Sequence, residues 1–282
     1  MAAPLSTPGV FGPDDLDGLV WFYDMYGYAT LRGVLSESDV DTIEAECVAA
    51  QQGVVAGDLD TRYGSTVFID EGAKAEKFAN YVEYVSEVSP AVDSAITGPV
   101  MRDVMSRLLG PDSWLRDHEQ YGVVYQDARP GKESGYTRIG WHSDWQSGPS
   151  LDVWPSTAFT LHIDGTSPAN GFLRVVPGSH LWDTPAPYRN VNGVAVPDTA
   201  QPSGGRTGRK PPFEMPLGFE KIRGEVGIYA ERGDVILHDA YLWHSAARAT
   251  DDNTQRRHVR GGYFGGTKPA AGVEEFIKNA AR

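Results

Sequence analysis

Two short segments, far apart in the chain, carry the residue types for redox chemistry at a metal. One is Ile139-Gly140-Trp141-His142-Ser143-Asp144-Trp145, and the other is Leu242-Trp243-His244-Ser245. His142 and Asp144 are two positions apart, so on a β-strand they face the same way. With His244 from a distant strand they make two imidazoles and one carboxylate. Three such ligands on one face of an octahedral ion leave three positions open, which suits non-haem Fe(II) and oxygen chemistry. An H-x-D tripeptide alone is a weak signal, and the flanking segments strengthen it. His244 follows Gly233-Asp234-Val235-Ile236-Leu237-His238, a turn leading into an apolar strand. It precedes an arginine-rich run, Arg256-Arg257-His258-Val259-Arg260. Between the two halves lies Asn170-Gly171-Phe172-Leu173-Arg174-Val175-Val176-Pro177-Gly178-Ser179-His180.

On these residues the chain resembles the phytanoyl-CoA dioxygenase family of Fe(II)/2-oxoglutarate oxygenases. That family carries H-x-D, a segment of the form N-G-x-L-x-V-x-P-G-S-H, G-D near a distal His, and an Arg further on. Here these are His142/Asp144, Asn170 to His180, Gly233-Asp234, His244 and Arg256. The segment Asp24 to Leu35 is similar to the family's opening strand and the helix after it. The resemblance covers about residues 15 to 266. It implies iron held by His142, Asp144 and His244, with 2-oxoglutarate and O2 as cosubstrates. It also implies a small-molecule substrate, with bacterial natural-product tailoring, as in antibiotic biosynthesis, the favoured setting. The family's halogenating branch replaces the Asp with Gly or Ala, so Asp144 disfavours halogenation. The Trp141-His142-Ser143-Asp144 wording is close to that of ectoine hydroxylases, but the longer ectoine signature is absent, so that substrate is not assigned.

The far carboxylate of 2-oxoglutarate needs a cation with two parallel donors, and the planar arginine fork suits it. Arg256 stands closest to the family's spacing after His244, while Arg257 and Arg260 compete for the role. Alternation puts Arg256, His258 and Arg260 on one strand face and Arg257 on the other. The family's Ser two residues after the distal His is displaced here to Ser245, and its Asn is also out of place. Gln126, on the strand before H-x-D, is the candidate for the 1-carboxylate. His118, His162, His180 and His238 read more simply as hydrogen-bonded or structural residues. Trp141, Trp145, Trp154 and Trp243 read as core. Trp145 faces away from the ligands on a continuing strand, and walls the pocket if the strand has ended.

The supporting elements divide into helices first and strands later. A helix is expected over Asp15 to Tyr26, then a strand near Tyr28–Leu31. Ser36 and Asp39 form a capping box for a helix running through Cys47 to about Ala50. Ala73 to Val85 and Pro90 to Leu109 read as helical, the second broken at Gly98-Pro99. From Asp117 onward strands dominate: Glu119–Tyr125, Thr137–His142, Ser156–Ile163, Phe172–Val176, Gly227–Tyr229, Asp234–Leu237 and His258–Phe264. The expected fold is mostly β with supporting helices, a double-stranded β-helix (jelly-roll, cupin-like) core. Residues 1–14 are expected to be a flexible N-terminus. Residues 15–282 form one oxygenase domain, with a lid insertion at about 185–215, where Pro and Gly are frequent and no periodicity is visible.

Composition narrows the function classes. The chain has 282 residues and a net charge of −13, which argues against a nucleic-acid binder. No apolar run approaches a membrane span, and no secretory signal opens the chain. A single cysteine, Cys47, allows no internal disulfide and fits a reducing cytoplasm. Two rival readings share these features. One is a non-catalytic cupin-like metal or small-molecule binding module, which has no need of a dicarboxylate clamp. The other is structural zinc, which normally takes four closed ligands, often with Cys. Oligomeric state is not legible.

Overall fold

The computed structural model describes residues 8–64, 67–69, 77–116, 122–129, 140–147, 156–183, 188–191, 194–197, 209–213, 215–216, 218–266 and 268. Strand β1 (Val10–Phe11), helix α1 (Leu16–Tyr26), strand β2 (Tyr28–Leu31) and helix α2 (Glu37–Ala56) open the chain. Strands β3 (Val67–Ile69), β4 (Lys77–Ala79) and β5 (Tyr81–Val82) precede helices α3 (Pro90–Thr97) and α4 (Pro99–Leu109). Then come β6 (Trp114–Leu115), β7 (Val124–Ala128) and a helical turn, α5 (Asp144–Ser147). The rest is strand: β8 (Ser156–His162), β9 (Leu173–Val175), β10 (Tyr188–Val191), β11 (Val194–Pro197), β12 (Val226–Ile228), β13 (Val235–Asp239), β14 (His244–Ala246) and β15 (Arg256–Phe264).

The helices end where the sequence provides caps. The Ser36 side chain accepts from the Asp39 backbone N–H, and the Asp39 carboxylate accepts from the Ser36 backbone N–H. Gly98-Pro99 separates α3 from α4, with Pro99 at the first helical position. Helix α2 runs past Ala50 to Ala56, because Gln51 and Val54 continue its buried stripe.

The large sheet has the order β1-β2-β13-β8-β15-β7-β5, with β6 paired to β15. The smaller one has the order β12-β9-β14. Strands β7, β8, β13 and β15 belong to the large sheet, whereas β9, β12 and β14 cross to the small one, as jelly-roll wrapping requires. Alternation sorts the side chains. Phe159, Leu161, Val235, Leu237, Val259 and Tyr263 face the helices and share a core with Leu19, Ile43, Val92 and Met105. Ile236 faces the other way and packs with Val175 and Ile228 of the small sheet, which fixes the interior between the sheets. By the same alternation Gln126, Thr160, His162, His238, Arg256, His258 and Arg260 face that interior.

Four expectations change. Residues 8–14 are not loose: Val10 and Phe11 pair parallel with Thr30 and Leu31. Ala73 to Val85 is not α-helical where it is described; only Val85, at its end, opens a 3-10 turn (Val85–Glu87). Lys77–Ala79 pairs with β3, and Tyr81 and Val82 pair with Gln126 and Tyr125. Here the cross-strand partners override the helix-like apolar spacing. In 185–215, β10 and β11 form an antiparallel hairpin, and the signal for it was Asn192-Gly193 between them. His142 and Asp144 do not share a strand: His142 makes an isolated bridge to His244, and Asp144 opens α5. His118, Trp154, residues 185–187, 192–193, 198–208 and 214, and residues 137–139 of Thr137–His142 lie outside the described residues.

Arg257 ties three elements together on the helix side. Its guanidinium donates to both carboxylate oxygens of Asp164, at 2.9 and 2.8 Å, and to Glu44 of α2 at 2.6 Å. Arg257→Ala leaves Asp164 without its fork. It should lower the unfolding free energy by about 2 kcal/mol, read as a fall in the denaturation midpoint at unchanged slope. An unchanged midpoint would contradict this role.

Candidate metal centre

His142 and His244 are locked to each other through the backbone. Each N–H donates to the other's carbonyl, at 3.0 and 2.9 Å. Trp145 N–H donates to the Ala240 carbonyl at 2.9 Å, which ties the start of α5 to the turn after β13. The H-x-D segment is therefore stapled at both ends to the 239–244 segment. Trp145 is buried and stacks on Tyr241 with ring centroids 5.7 Å apart, so it walls the region rather than facing solvent.

The ring nitrogens are sorted by the backbone as well. His142 Nδ1–H donates to the Gly140 carbonyl at 2.9 Å, and His244 Nδ1–H donates to the Leu242 carbonyl at 2.9 Å. Each imidazole uses the carbonyl two residues before it. That leaves Nε2 as the lone-pair atom on both rings. The two Nε2 atoms lie 3.8 and 3.6 Å from Asp144 Oδ1. One ligand atom from each of the three residues lies within 4.8 Å of the others, and they are the one such group among the described residues.

Burial lowers both imidazoles to about 4. Burial would raise the Asp144 carboxyl, but His244, His238, His142 and Arg116 outweigh it and bring it down to about 2. At neutral pH the set is two neutral imidazoles and one carboxylate, the protonation state a divalent cation requires. The donor set fits Fe(II), and the triad comes from one side, leaving positions for other ligands.

His238 is the residue that sequence reasoning missed. Its ring centroid is 4.4 Å from that of His244, and its Nδ1 is 3.9 Å from Asp144 Oδ2. Its signal is non-local: His238 falls on the interior-facing register only once β13 is paired with β8. His180 does what the simpler reading expected. Its Nε2 bonds the Asp24 carbonyl at 3.0 Å, tying the Pro177-Gly178-Ser179-His180 turn to α1.

The arginines separate by face. Arg257 is engaged with Asp164 and Glu44, as described above. Arg256 is buried in the interior, and burial alone brings it down to about 10. No acidic side chain among the described residues pairs with it. It lies against the Asn170-Gly171 turn: a Cβ on Gly171, whose φ is +86°, would meet Arg256 Nη1 at 2.8 Å. Asn170 secures that turn by accepting from the Ser167 N–H at 2.9 Å and donating to the Gln255 carbonyl at 3.2 Å. Gln126 faces the same interior, with its Oε1 unpartnered. Arg260 also faces inward, nearer the metal end, with Glu83 close to its charge. Ser245, on the opposite face of β14 from His244, accepts from Arg174 at 3.2 Å.

The sequence profile described as phytanoyl-CoA dioxygenase (PhyH) matches residues 23–259. An ectoine dioxygenase from Nocardia farcinica (strain IFM 10152) is 28% identical over 186 residues. That alignment spans 63% of this chain and 55% of the relative, about half its length. Among solved structures, AviO1 from Streptomyces viridochromogenes Tue57 superposes with a TM-score of 0.59 at 17% identity, covering 91% of this chain and 98% of that one. The epimerase SnoN, in complex with Fe3+, alpha ketoglutarate and nogalamycin RO, gives a TM-score of 0.60 at 20% identity, covering 94% and 90%. EctD from S. alaskensis with bound Fe gives 0.59 at 17% identity, covering 87% and 75%. At these identities the three structures establish the double-stranded β-helix fold.

The buried histidines set a pH dependence. His142 and His244 titrate near 4 and His162 near 3 in the folded chain, against about 6.5 unfolded. The unfolded chain therefore takes up protons from about pH 6.5 downward while the folded chain does not. Stability of the metal-free protein should be full above pH 6.5. It should fall as pH drops toward 4, by up to about 1.4 kcal/mol per pH unit per histidine. Urea midpoints at pH 7.5, 6 and 5 with chelator present test this, and a flat profile would refute it.

Proposed function

This chain belongs to the phytanoyl-CoA dioxygenase family, and from that premise we propose that it is an Fe(II)/2-oxoglutarate-dependent dioxygenase acting on a small organic molecule. The observation that carries the reading is the convergence of His142, Asp144 and His244, together with a buried Arg256 that no carboxylate among the described residues neutralises. Iron held by the triad would let O2 oxidise 2-oxoglutarate to succinate and CO2 and, with the same O2, an unactivated C–H bond of the substrate. The chain's residues do the rest. His142 and His244 offer lone pairs held in one tautomer by backbone carbonyls. Asp144 contributes the negative charge. Arg256 grips the far carboxylate of the cosubstrate through its fork; Gln126, expected at the near one, pairs with His258 at the Arg256 end of the interior instead. Trp145 and Tyr241 keep water from the Asp144 side.

Because Asp144 fills the carboxylate position, the outcomes open to the reaction are hydroxylation, desaturation, cyclisation or epimerisation, and halogenation is disfavoured. The substrate class we favour is a natural-product intermediate, as in antibiotic biosynthesis. SnoN, of the same fold, is an epimerase solved in complex with Fe3+, alpha ketoglutarate and nogalamycin RO. A net charge of −13 gives no attraction for nucleic acid. No described helix is long and apolar enough to cross a membrane. The free, buried thiol of Cys47 fits a reducing cytoplasm.

Anaerobic Fe(II) titration followed by succinate release with candidate metabolites tests the reading. His142→Ala and His244→Ala should lose iron binding and turnover. Arg256→Ala should keep iron and raise the half-saturating 2-oxoglutarate concentration at least about tenfold. Arg257→Ala should leave that concentration near wild type. Wild-type succinate production by either histidine variant would overturn the metal assignment.

A further inference from the structure

A row of polar side chains crosses the interior face of the large sheet, and the metal centre leaves two of them without a task. Gln126, His258 and His162 are register partners on β7, β15 and β8. All three are more than nine-tenths buried, at 1%, 7% and 5% exposure. The two imidazole centroids lie 5.8 Å apart. Among the described residues, His258 Nδ1 and His162 Nδ1 have no hydrogen-bond partner. Buried polar atoms are nearly always satisfied, so two unmet imidazole nitrogens in one row point to an occupant.

The fourth member of the cluster gives that occupant its sign. Arg256 lies on the same face, two residues before His258, and is 8% exposed. After burial, its charge is the largest influence on both imidazoles, and both are held neutral. A buried cation beside two neutral imidazoles, with no acidic partner among the described residues, is complementary to an anion with several lone pairs. A carboxylate meets this need. The small sheet offers no hydroxyl beside His244: the same-face residue after it is Ala246, and Ser245 is on the other face with Arg174. The row also stands at a suitable depth. His238, beside the metal centre, pairs with Ala158, which pairs with Gly262. His258 is four residues along β15 from Gly262, about 13 Å between backbone levels at 3.3 Å per residue. Inward side chains and a chelated five-carbon dicarboxylate span that distance.

We propose that His162 and His258, with Arg256, form the pocket for the far carboxylate of the dicarboxylate cosubstrate, each imidazole donating a neutral N–H bond. The inference rests on the dioxygenase reading above and names two residues that set which 2-oxo acid is accepted. Neutral donors suit the place. Two imidazolium ions beside Arg256 would put three positive charges in a buried pocket against one carboxylate. Neutral imidazoles add hydrogen bonds without adding charge.

Calorimetric titration of the anaerobic Fe(II)-loaded protein with 2-oxoglutarate, and separately with pyruvate, tests the assignment. Pyruvate has the chelating head but no far carboxylate. His162→Leu and His258→Leu should each weaken 2-oxoglutarate about tenfold and leave pyruvate unchanged. His258→Asn, which restores a neutral N–H, should recover most of the loss. Wild-type 2-oxoglutarate affinity in both leucine variants would overturn the proposal, while a loss confined to Arg256→Ala would leave the dioxygenase reading standing. Equal weakening of both ligands would mean a merely structural role and would also overturn it. Unchanged 2-oxoglutarate affinity in Arg256→Ala would remove the clamp, and the proposal with it. Should the leucine variants fail to fold, 15N-histidine spectra of the wild-type protein decide: 2-oxoglutarate must shift the His162 and His258 resonances and pyruvate must not, and no shift overturns the proposal.

Discussion

The site depends on a single backbone bridge. His142 and His244 exchange two hydrogen bonds, and through them a segment that is not part of a regular strand joins the edge of the small sheet. Without that pairing the H-x-D segment would be a surface loop, and its side chains would have to be ordered by the metal alone at a large entropic cost. With it, the two imidazoles stand side by side, tilted by 53° with centroids 4.3 Å apart. The Gly140 and Leu242 carbonyls then choose the tautomer. The same two-residue backward bond is made twice, once on each side of the bridge. Pre-organisation here is therefore a property of the main chain, and side-chain chemistry follows from it.

Strand alternation does the second part of the work, on β15. Arg256 and Arg257 are adjacent in sequence and opposite in fate. Arg257 turns toward α2 and is neutralised by Asp164 and Glu44, which raises its pKa. Arg256 turns inward, where burial lowers it to about 10 and no acidic side chain among the described residues compensates. A buried charge without a partner is costly, and natural chains keep one chiefly where a ligand completes the pair. The cost is local. Its neighbours His162 and His258 are held neutral, so the pocket carries the arginine charge without adding theirs.

Much of this was legible in the residues, and the failures have physical causes. Helix caps and the Gly98-Pro99 break are local chemistry, and α1 to α4 follow from them. The convergence of His142, Asp144 and His244 was legible from the H-x-D tripeptide read together with its flanking segments, and the Arg256/Arg257 division because period two is rigid. The geometry of His142 and Asp144 was not legible. The i, i+2 argument assumed a strand, whereas the carboxylate is delivered by the first residue of a helical turn. Residues 77–82 misled for a related reason. Their apolar spacing suited a helix, and only distant partners, β3 and β7, make them strands. His238 and His162 looked structural because an isolated histidine on a strand carries no signal. Their meaning appears only when β13, β8 and β15 are brought into register, which is non-local information.

The net charge of −13 and the cationic interior do not conflict. Surface carboxylates act over about 8–10 Å at physiological salt, and exposed pairs contribute little. Inside the barrel the effective dielectric is lower and the charges are few and fixed. There Asp144 and Arg256 stand at opposite ends of the proposed cosubstrate path, one negative beside the metal ligands and one positive in the depth. A dianion that chelates at one end and is gripped at the other satisfies both at once, because the metal's positive charge outweighs Asp144 locally. On the proposed function, the polarity of the interior would orient the cosubstrate as well as bind it. A carboxylate entering with no chelating head gains only the deep arginine, and a chelating head with no second carboxylate leaves that arginine buried and unpaired.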